Sequence, residues 1–235
     1  MGLGNPGPEY RHSPHNVGFQ CILRLHEWFG AGEPVDLGSV VLRQGTHGEQ
    51  PLVLARPLTW MNHSGRGVEC LLQYLEADVS ELVVLTDDID LPLGEVRVRA
   101  EGGAGTHRGM QSLVETLGRK DFARIRIGIQ PEDFEPVDLA AYVLTPLQGS
   151  AREKLCRGVD RAVAAARELL DSRDIHAVMN RFNRRSRRES NPGFDKLFAP
   201  PNGRGCRPPA GAGAANAASI QKEDECNDCM KSGSS

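Results

Sequence analysis

The segment that most constrains the fold is a nearly continuous apolar run at residues 81–86, with the sequence Glu-Leu-Val-Val-Leu-Thr. A run of this length without polar alternation is typical of a central strand that is covered on both faces. Residues 96–99 and 125–129 alternate between apolar and polar side chains, which predicts strands with one polar face. Short β-rich runs at 40–42 and 52–54, separated by glycine and proline, predict a hairpin.

Helical patterns lie between and after these strands. Apolar residues recur at helical spacing in five segments: residues 15–29, 62–74, 110–117, 151–170 and 175–182. Strands that alternate with helices indicate the α/β class. We therefore expect a single-domain three-layer fold, in which a twisted mixed β-sheet is flanked by helices.

The two ends of the chain depart from this pattern. A glycine-rich turn begins at Gly2, and such a turn usually follows a buried strand, so we expect a truncated first strand and an unfilled central position in the sheet. From residue 184 the chain has a basic run, and then mainly proline, glycine, alanine, serine and asparagine. A segment of this composition buries too little apolar surface to offset its ordering entropy. The predicted boundaries are a folded domain at 1–183 and a disordered tail at 184–235.

The overall composition excludes few partners. The formal net charge of −3 does not indicate a nucleic-acid partner, although one basic face is compatible with an acidic remainder. No stretch approaches the roughly 18 consecutive apolar residues of a membrane span, so no membrane association is expected. The six cysteines are scattered, and the first three lie in apolar stretches, which favours reduced thiols over a disulfide framework.

Three segments combine polar side chains with glycine and proline: residues 2–18, 56–65 and 86–109. In an open α/β sheet, a ligand crevice forms where such segments leave the strands. They supply a histidine near a helix start, acids that follow the buried strand, and two asparagines in tight loops. A histidine held by a carboxylate is a general base near neutral pH, and an asparagine amide donates to an oxygen that gains charge. Because the segments contain neither cysteine nor a Gly-x-Ser-x-Gly elbow, a water nucleophile is favoured.

Each segment by itself allows other interpretations. A histidine near a helix start is more often a capping or core group, an acid after a strand is more often a turn former, and Asn62 is an equally good helix cap. The glycine-rich loop at 102–109 lacks the Lys-Ser/Thr of a P-loop. Pro6 interrupts the helix that a dinucleotide-binding fingerprint requires. Nucleotide binding is therefore not expected.

Taken together, the three segments resemble bacterial-type peptidyl-tRNA hydrolases, a family that also occurs in organelles. Gly-Leu-Gly-Asn-Pro-Gly at 2–7 and His-Asn-Val-Gly-Phe at 15–19 resemble the family's opening. Pro-Leu-Thr-Trp-Met-Asn-His-Ser-Gly at 57–65 resembles its second motif, and Asp-Asp-Ile-Asp-Leu-Pro-Leu-Gly at 87–94 its third. The likeness runs in order, at family spacing, from Gly2 to about residue 184.

The resemblance implies the chemistry of the site. His15 matches the histidine that activates the attacking water, and Asp87 matches the acid that orients its imidazole. Asn5 and Asn62 match asparagines that hold the peptide end of the substrate and the water. The neighbouring acids of the third motif are expected only to shape the turn; they are Asp88 and Asp90.

Further positions are expected to contact the substrate. Tyr10 and Trp60 match aromatic positions that line the crevice, and Arg126 matches an arginine implicated in contacting tRNA. There are also departures from the family pattern. Arg108 stands where the family commonly has an asparagine that positions substrate and water, and Pro14 stands where an arginine usually precedes the catalytic histidine.

The activity implied by the resemblance is hydrolysis of the ester bond between a peptide and the 3′ end of tRNA. The enzyme is expected to be monomeric and to need no cofactor and no metal, with peptidyl-tRNA as its partner. Its compartment is expected to be the cytoplasm, or a chloroplast or mitochondrion.

Two alternatives belong to other functional classes. The first is an RNA-binding paralogue without turnover that acts in organellar RNA splicing, which Arg108 and the basic run after residue 183 favour. Intact Asn5, His15, Asn62 and Asp87 count against it. The second is a magnesium site for phosphoryl transfer built from the three acids of residues 87–90, which a chelator would test.

Overall fold

The structure is a computed structural model that describes residues 1–131 and 138–183. The strands are β1 (Pro34–Asp36), β2 (Val40–His47), β3 (Gln50–Pro57), β4 (Val83–Pro92), β5 (Val96–Arg99) and β6 (Ala123–Gln130). The helices are α1 (Val17–Phe29), α2 (Ser64–Leu75), α3 (Arg108–Leu117), α4 (Leu139–Leu144), α5 (Gly149–Ser172) and α6 (Ile175–Phe182). Short 3-10 helices precede α1 at Pro14–Asn16 and α2 at Met61–His63.

The strands form two three-stranded groups, in the orders β1-β2-β3 and β4-β6-β5. In the first group all neighbours are antiparallel, and β2 and β3 are the predicted hairpin. In the second group β4 runs parallel to β6, whereas β5 runs antiparallel to it. The prediction of a mixed sheet is therefore confirmed.

The first three residues lie between these two groups of strands. The backbone N–H of Gly2 donates to the carbonyl oxygen of Ala55 in β3 at 3.0 Å. On the other side, Leu3 N–H donates to Leu85 O at 2.9 Å, and Leu85 N–H donates to Met1 O at 2.8 Å. The expectation of an unfilled central position is therefore wrong, because even three residues satisfy backbone groups of the strands on both sides.

Helices cover both faces of β4. Its consecutive residues Val84 and Leu85 are 0% and 2% exposed and belong to different apolar clusters, as the alternation of side chains along a strand requires. The cluster around Leu85 is completed by α1, α5 and α6, and the cluster around Val84 by α2 and α3. This arrangement confirms both the three-layer fold and the doubly covered central strand.

Two glycines allow α1 to pack closely against the sheet. This packing sets the position of the residues at the start of α1. A methyl group on Gly18 would lie 2.4 Å from Leu85 O, and one on Gly2 would lie 2.2 Å from Gly18 O. Real carbon atoms do not approach oxygen this closely, so a side chain at either position would push α1 away from β4. Since His15 lies two residues before α1, this contact brings the histidine to Asp87 in the middle of β4.

Three further expectations concern the tail, the cysteines and membrane association. The predicted tail lies outside the described residues, as do the last three cysteines, and Cys21, Cys70 and Cys156 are free thiols. Burial raises the pKa of the Cys21 thiol well above its usual range. Among the described residues, no helix combines the length and apolarity required to cross a membrane.

Candidate active site

The central contact of the site joins His15 to Asp87. His15 lies in the 3-10 helix before α1, Asp87 lies in β4, and His15 Nδ1 is 2.9 Å from Asp87 Oδ2. An ionised carboxylate only accepts hydrogen bonds, so the imidazole proton belongs on Nδ1. The other ring nitrogen, Nε2, then carries a lone pair that can accept a proton. The contact expected between these two residues is present.

A second imidazole contacts the other oxygen of the same carboxylate. His107 Nε2 lies 2.8 Å from Asp87 Oδ1 and 2.9 Å from the hydroxyl oxygen of Thr86. His107 is also the N-cap of α3, where its Nδ1 accepts the backbone N–H of Met110 at 3.2 Å. Because Nδ1 is an acceptor, Nε2 carries the proton and donates it to Asp87. Asp87 is thus bonded by one imidazole on each oxygen.

His107 has no role among the predictions made from the sequence. One signal was available: His107 ends a glycine-rich loop immediately before a helix, which resembles the position of His15. Its contact with Asp87 was not predictable because it depends on how the loop at residues 100–107 returns to β4.

Burial and charge act in opposite directions on these groups. Burial by itself raises the pKa of Asp87, but the positive charges of His107 and His15 outweigh it and hold that pKa well below its usual range. For His107, burial lowers the pKa, but the neighbouring Asp87 carboxylate outweighs this effect and raises the pKa above its usual value. The carboxylate is therefore ionised at neutral pH and acts as a fixed negative charge between the two rings.

Asn5 is held in place by a pair of backbone-to-side-chain hydrogen bonds. The Asn5 N–H donates to Asn16 Oδ1, and Asn16 Nδ2 donates to the Asn5 carbonyl oxygen, both at 2.8 Å. The side-chain oxygen of Asn5 accepts the N–H of Met61 at 2.8 Å. Within the described residues its Nδ2 makes no hydrogen bond, so two N–H donors remain for a ligand. Asn16 was another residue without a predicted role.

The second motif presents exposed polar and aromatic groups next to Asn5. Asn62 is exposed, and its Nδ2 lies 3.3 Å from the Nε2 of its neighbour His63. It forms no hydrogen bond with His15 or Asp87 among the described residues. Trp60 is 53% exposed and meets the ring of Tyr10 edge to face, with 6.0 Å between ring centroids. The structure thus brings the two predicted aromatic residues together.

The acids after Asp87 do not form a turn as expected. Asp88 and Asp90 belong to β4, which continues to Pro92 with a break in its register with β6 between Asp88 and Pro92. Asp88 is buried and forms an ion pair with Arg126, whereas Asp90 is exposed. The expectation fails because this strand continues past the buried apolar run.

Arg108 is the first residue of α3 and is exposed, directly after His107. Within the described residues it forms no hydrogen bond or ion pair. Its guanidinium is therefore available to a ligand.

The two imidazoles and Asp87 are also a possible set of metal ligands. One atom from each of His15, Asp87 and His107 lies within 4.8 Å of the others. Two imidazoles and one carboxylate suit several divalent transition metals. In this arrangement, however, the three groups already satisfy one another by hydrogen bonds, and a metal would have to displace the protons on both facing nitrogens. The donor set therefore fits the hydrogen-bonded arrangement better than a resident ion.

Comparison with known proteins identifies the family to which this chain belongs. The sequence profile of the family described as peptidyl-tRNA hydrolase matches residues 1–191. This chain belongs to the peptidyl-tRNA hydrolase family.

Individual relatives of this peptidyl-tRNA hydrolase agree with the family match. The chain is 41% identical over 186 residues to the peptidyl-tRNA hydrolase of Koribacter versatilis, with 79% of this chain and 92% of the relative covered. It is 38% identical over 183 residues to that of Syntrophomonas wolfei subsp. wolfei, with coverages of 78% and 98%.

A solved structure supports the same assignment. The crystal structure of the peptidyl-tRNA hydrolase from Acinetobacter baumannii matches with a TM-score of 0.70 and 28% identity, covering 78% of this chain and 92% of that one. The chain is a hydrolase of this family. The alternative of an RNA-binding paralogue without turnover is not supported by these comparisons.

The opposite pKa shifts of Asp87 and His107 predict a pH-dependent effect of Asp87→Asn on stability. A lowered carboxyl pKa stabilises the fold above about pH 4, the unfolded value, and this contribution is lost as pH falls through the lower folded pKa. A raised histidine pKa stabilises the fold below about pH 6.5, and this contribution is lost as pH rises through the folded pKa. Both contributions are present near pH 5, whereas at pH 8, above the unfolded histidine pKa, the histidine contribution is smaller.

We therefore expect the loss in unfolding free energy caused by Asp87→Asn to be larger at about pH 5 than at about pH 8. Urea denaturation at the two pH values measures it. Asp90→Asn, an exposed acid on the same strand, is the control. An equal loss at both pH values would contradict the charge arrangement.

Proposed function

We propose that this peptidyl-tRNA hydrolase cleaves the ester bond between the peptide and the tRNA 3′ end with His15 as the general base. Nε2 of His15 takes a proton from water, and the resulting hydroxide adds to the ester carbonyl carbon. The tetrahedral intermediate then collapses, the bond to the ribose oxygen breaks, and the imidazolium returns the proton to that oxygen. The observation that carries the proposal is the contact between His15 Nδ1 and Asp87, which leaves Nε2 free for this task.

Asp87 supports this cycle electrostatically. While His15 holds the proton it is an imidazolium, and the ionised carboxylate beside it stabilises that charge. His107 fixes the carboxylate from the other side, so that the carboxylate stays aligned with His15 as the charge develops. General base catalysis of this kind typically contributes about 10²- to 10⁴-fold to the rate.

The two asparagines have separate roles in the proposal. Asn62 donates to the ester carbonyl oxygen as it gains negative charge. Asn5 donates through its free Nδ2 to the carbonyl of the peptide's last amide bond. An ordinary aminoacyl-tRNA lacks that amide and leaves the buried donor unpaired, which explains why such an enzyme would spare it. Asn5 is suited to this task because its position is fixed by Asn16 and by Met61.

A basic face on β5 and β6 is proposed to bind the tRNA backbone. In the register of β5 and β6, Arg97 lies opposite Arg126, and Arg99 lies opposite Arg124. Side chains paired in this way share one face of the sheet. Within the described residues Arg97 and Arg99 form no ion pair, so their charges are available to phosphates. Arginine is well suited to binding phosphate through two parallel hydrogen bonds.

Exposed groups around the crevice complete the proposed substrate contacts. Tyr10 and Trp60 offer an aromatic surface to the end of the substrate, and Arg108 offers a charge next to His107. We also propose that the protein acts as a monomer in a compartment where translation occurs, the cytoplasm or an organelle. A monomer agrees with the described surface, on which the large exposed apolar side chains are few: Trp60, Tyr74 and Leu139.

Replacement of the base should remove hydrolysis without removing tRNA binding. We expect His15→Ala to lower kcat/KM for N-acetyl-aminoacyl-tRNA by about 10²-fold or more, because no other side chain takes the proton from water. Release of N-acetyl-amino acid measures the rate, and the dissociation constant for deacylated tRNA should change little. His176→Ala, an exposed histidine on α6, is the control. If His15→Ala keeps wild-type hydrolysis, the proposed mechanism is wrong.

Asn5→Asp tests substrate discrimination. The aspartate keeps an oxygen to accept the Met61 N–H but loses the Nδ2 donor, so the loop should hold while peptide recognition fails. We expect the preference for N-acetyl-aminoacyl-tRNA over aminoacyl-tRNA to fall about tenfold or more, the usual effect of losing one buried hydrogen bond. The ratio of kcat/KM for the two substrates measures this preference. An unchanged ratio with a normal melting temperature would exclude Asn5 from discrimination.

A further inference from the structure

Asp88 is a buried carboxylate whose two oxygens are both held. Its side chain is 7% exposed, and its Oδ1 accepts the backbone N–H of Asp90 at 2.9 Å. Its Oδ2 forms the ion pair with Nε of Arg126. The hydrogen bond from Asp90 prevents rotation of the carboxylate, so the position of Asp88 determines where the Arg126 guanidinium lies.

The ion pair leaves the two Nη groups of the Arg126 guanidinium unused. Asp88 binds Nε, and the two Nη groups of Arg126 form no hydrogen bond or ion pair with the described residues. The Arg126 side chain is 32% exposed, so these groups reach solvent. Two N–H groups in one plane match two oxygens of a phosphate. Asp88 therefore binds the guanidinium without blocking the edge that a phosphate requires.

Asp88 also follows Asp87 directly in the chain. Consecutive Cα atoms are about 3.8 Å apart, and β4 is a buried strand with little freedom to move. The carboxylate that orients the base and the carboxylate that orients Arg126 are thus attached to adjacent residues of one rigid element. A phosphate held by Arg126 would lie at a set distance from an ester bond held at His15.

We propose that Asp88 is a positioning residue that holds Arg126 so that a tRNA phosphate docks in register with the ester bond. The inference rests on the proposed function, because it assigns Arg126 to the tRNA backbone. It assigns Asp88 a function in substrate alignment. Asp88 acts through Arg126 and does not touch the reacting atoms.

Whether Asp88→Asn weakens or tightens tRNA binding distinguishes a positioning role from a purely electrostatic effect. Removal of a negative charge near an RNA-binding face should by itself tighten binding. If Asp88 positions Arg126, Asp88→Asn should instead raise KM for N-acetyl-aminoacyl-tRNA, and Kd for deacylated tRNA, by about tenfold, with kcat nearly unchanged. Asp90→Asn removes the same charge two residues along the chain, from an exposed side chain that forms no ion pair with the described residues. It should leave both values unchanged or lower them.

Two further measurements establish that the effect passes through Arg126. In an Arg126→Ala background, Asp88→Asn should change KM by less than about twofold, since the partner is already absent. The N-acetyl-aminoacyl ester of adenosine carries no tRNA body, so its hydrolysis should be the same in Asp88→Asn and the wild type.

The following results would overturn the inference. If Asp88→Asn tightens tRNA binding as Asp90→Asn does, Asp88 competes with phosphate for Arg126. If it slows hydrolysis of the adenosine ester, or acts fully without Arg126, it works through Asp87 or through the fold. The binding measurement with deacylated tRNA is independent of catalysis, so a failure of hydrolysis in the wild type would count against the proposed function alone.

Discussion

One buried negative charge, the carboxylate of Asp87, organises this site. A carboxylate that is 5% exposed is costly unless each oxygen is hydrogen-bonded, and here each oxygen receives one imidazole N–H. The arrangement sets the tautomer of both rings: His15 points its unprotonated nitrogen away from the carboxylate, and His107 uses its unprotonated nitrogen to cap α3. Stability and chemistry therefore depend on the same contacts, since removing the charge would release both the base and the start of a helix.

The fold supplies this arrangement through close backbone packing. Gly2 and Gly18 let α1 lie against Leu3 and Leu85, so that the residues before α1 reach Asp87 in β4. Asn5 links the opening loop to the second motif, because its side-chain oxygen accepts the backbone N–H of Met61. Three segments distant in sequence thus meet at one edge of the sheet. The arginines of β5 and β6 are paired with each other, and Arg126 is also paired with Thr86 of β4, whose hydroxyl contacts His107.

Local patterns in the sequence predicted a large part of this structure. The apolar run at 81–86, the alternation in β5 and β6, and the helical periodicity of α1, α2, α5 and α6 all report on burial, which is a local property of each segment. The resemblance to a family indicated His15, Asp87 and Asn5, and the structure joins His15 to Asp87 and Asn5 to Asn16, the neighbour of His15. β1 and α4 were missed because they are short and carry little periodicity.

What sequence reasoning missed depends on contacts between distant residues. Neither the bond of His107 to Asp87 nor that of Asn16 to Asn5 has a local pattern. The bonding capacity of the first three residues was underestimated for a similar reason, because their partners lie more than 50 residues away in β3 and β4. The pairing of Asp88 with Arg126 depends on a strand that continues past its apolar run. In each case the missing information was the relative position of two elements, not the nature of either residue.

The most direct test of the central claim is the protonation of the two imidazoles at a pH where both are neutral. Long-range nitrogen–proton NMR correlations of the histidine rings distinguish a proton on Nδ1 from one on Nε2. We expect His15 to carry its proton on Nδ1 and His107 on Nε2, each directed at Asp87. A proton on Nε2 of His15 would leave no lone pair to activate water and would exclude this histidine as the base.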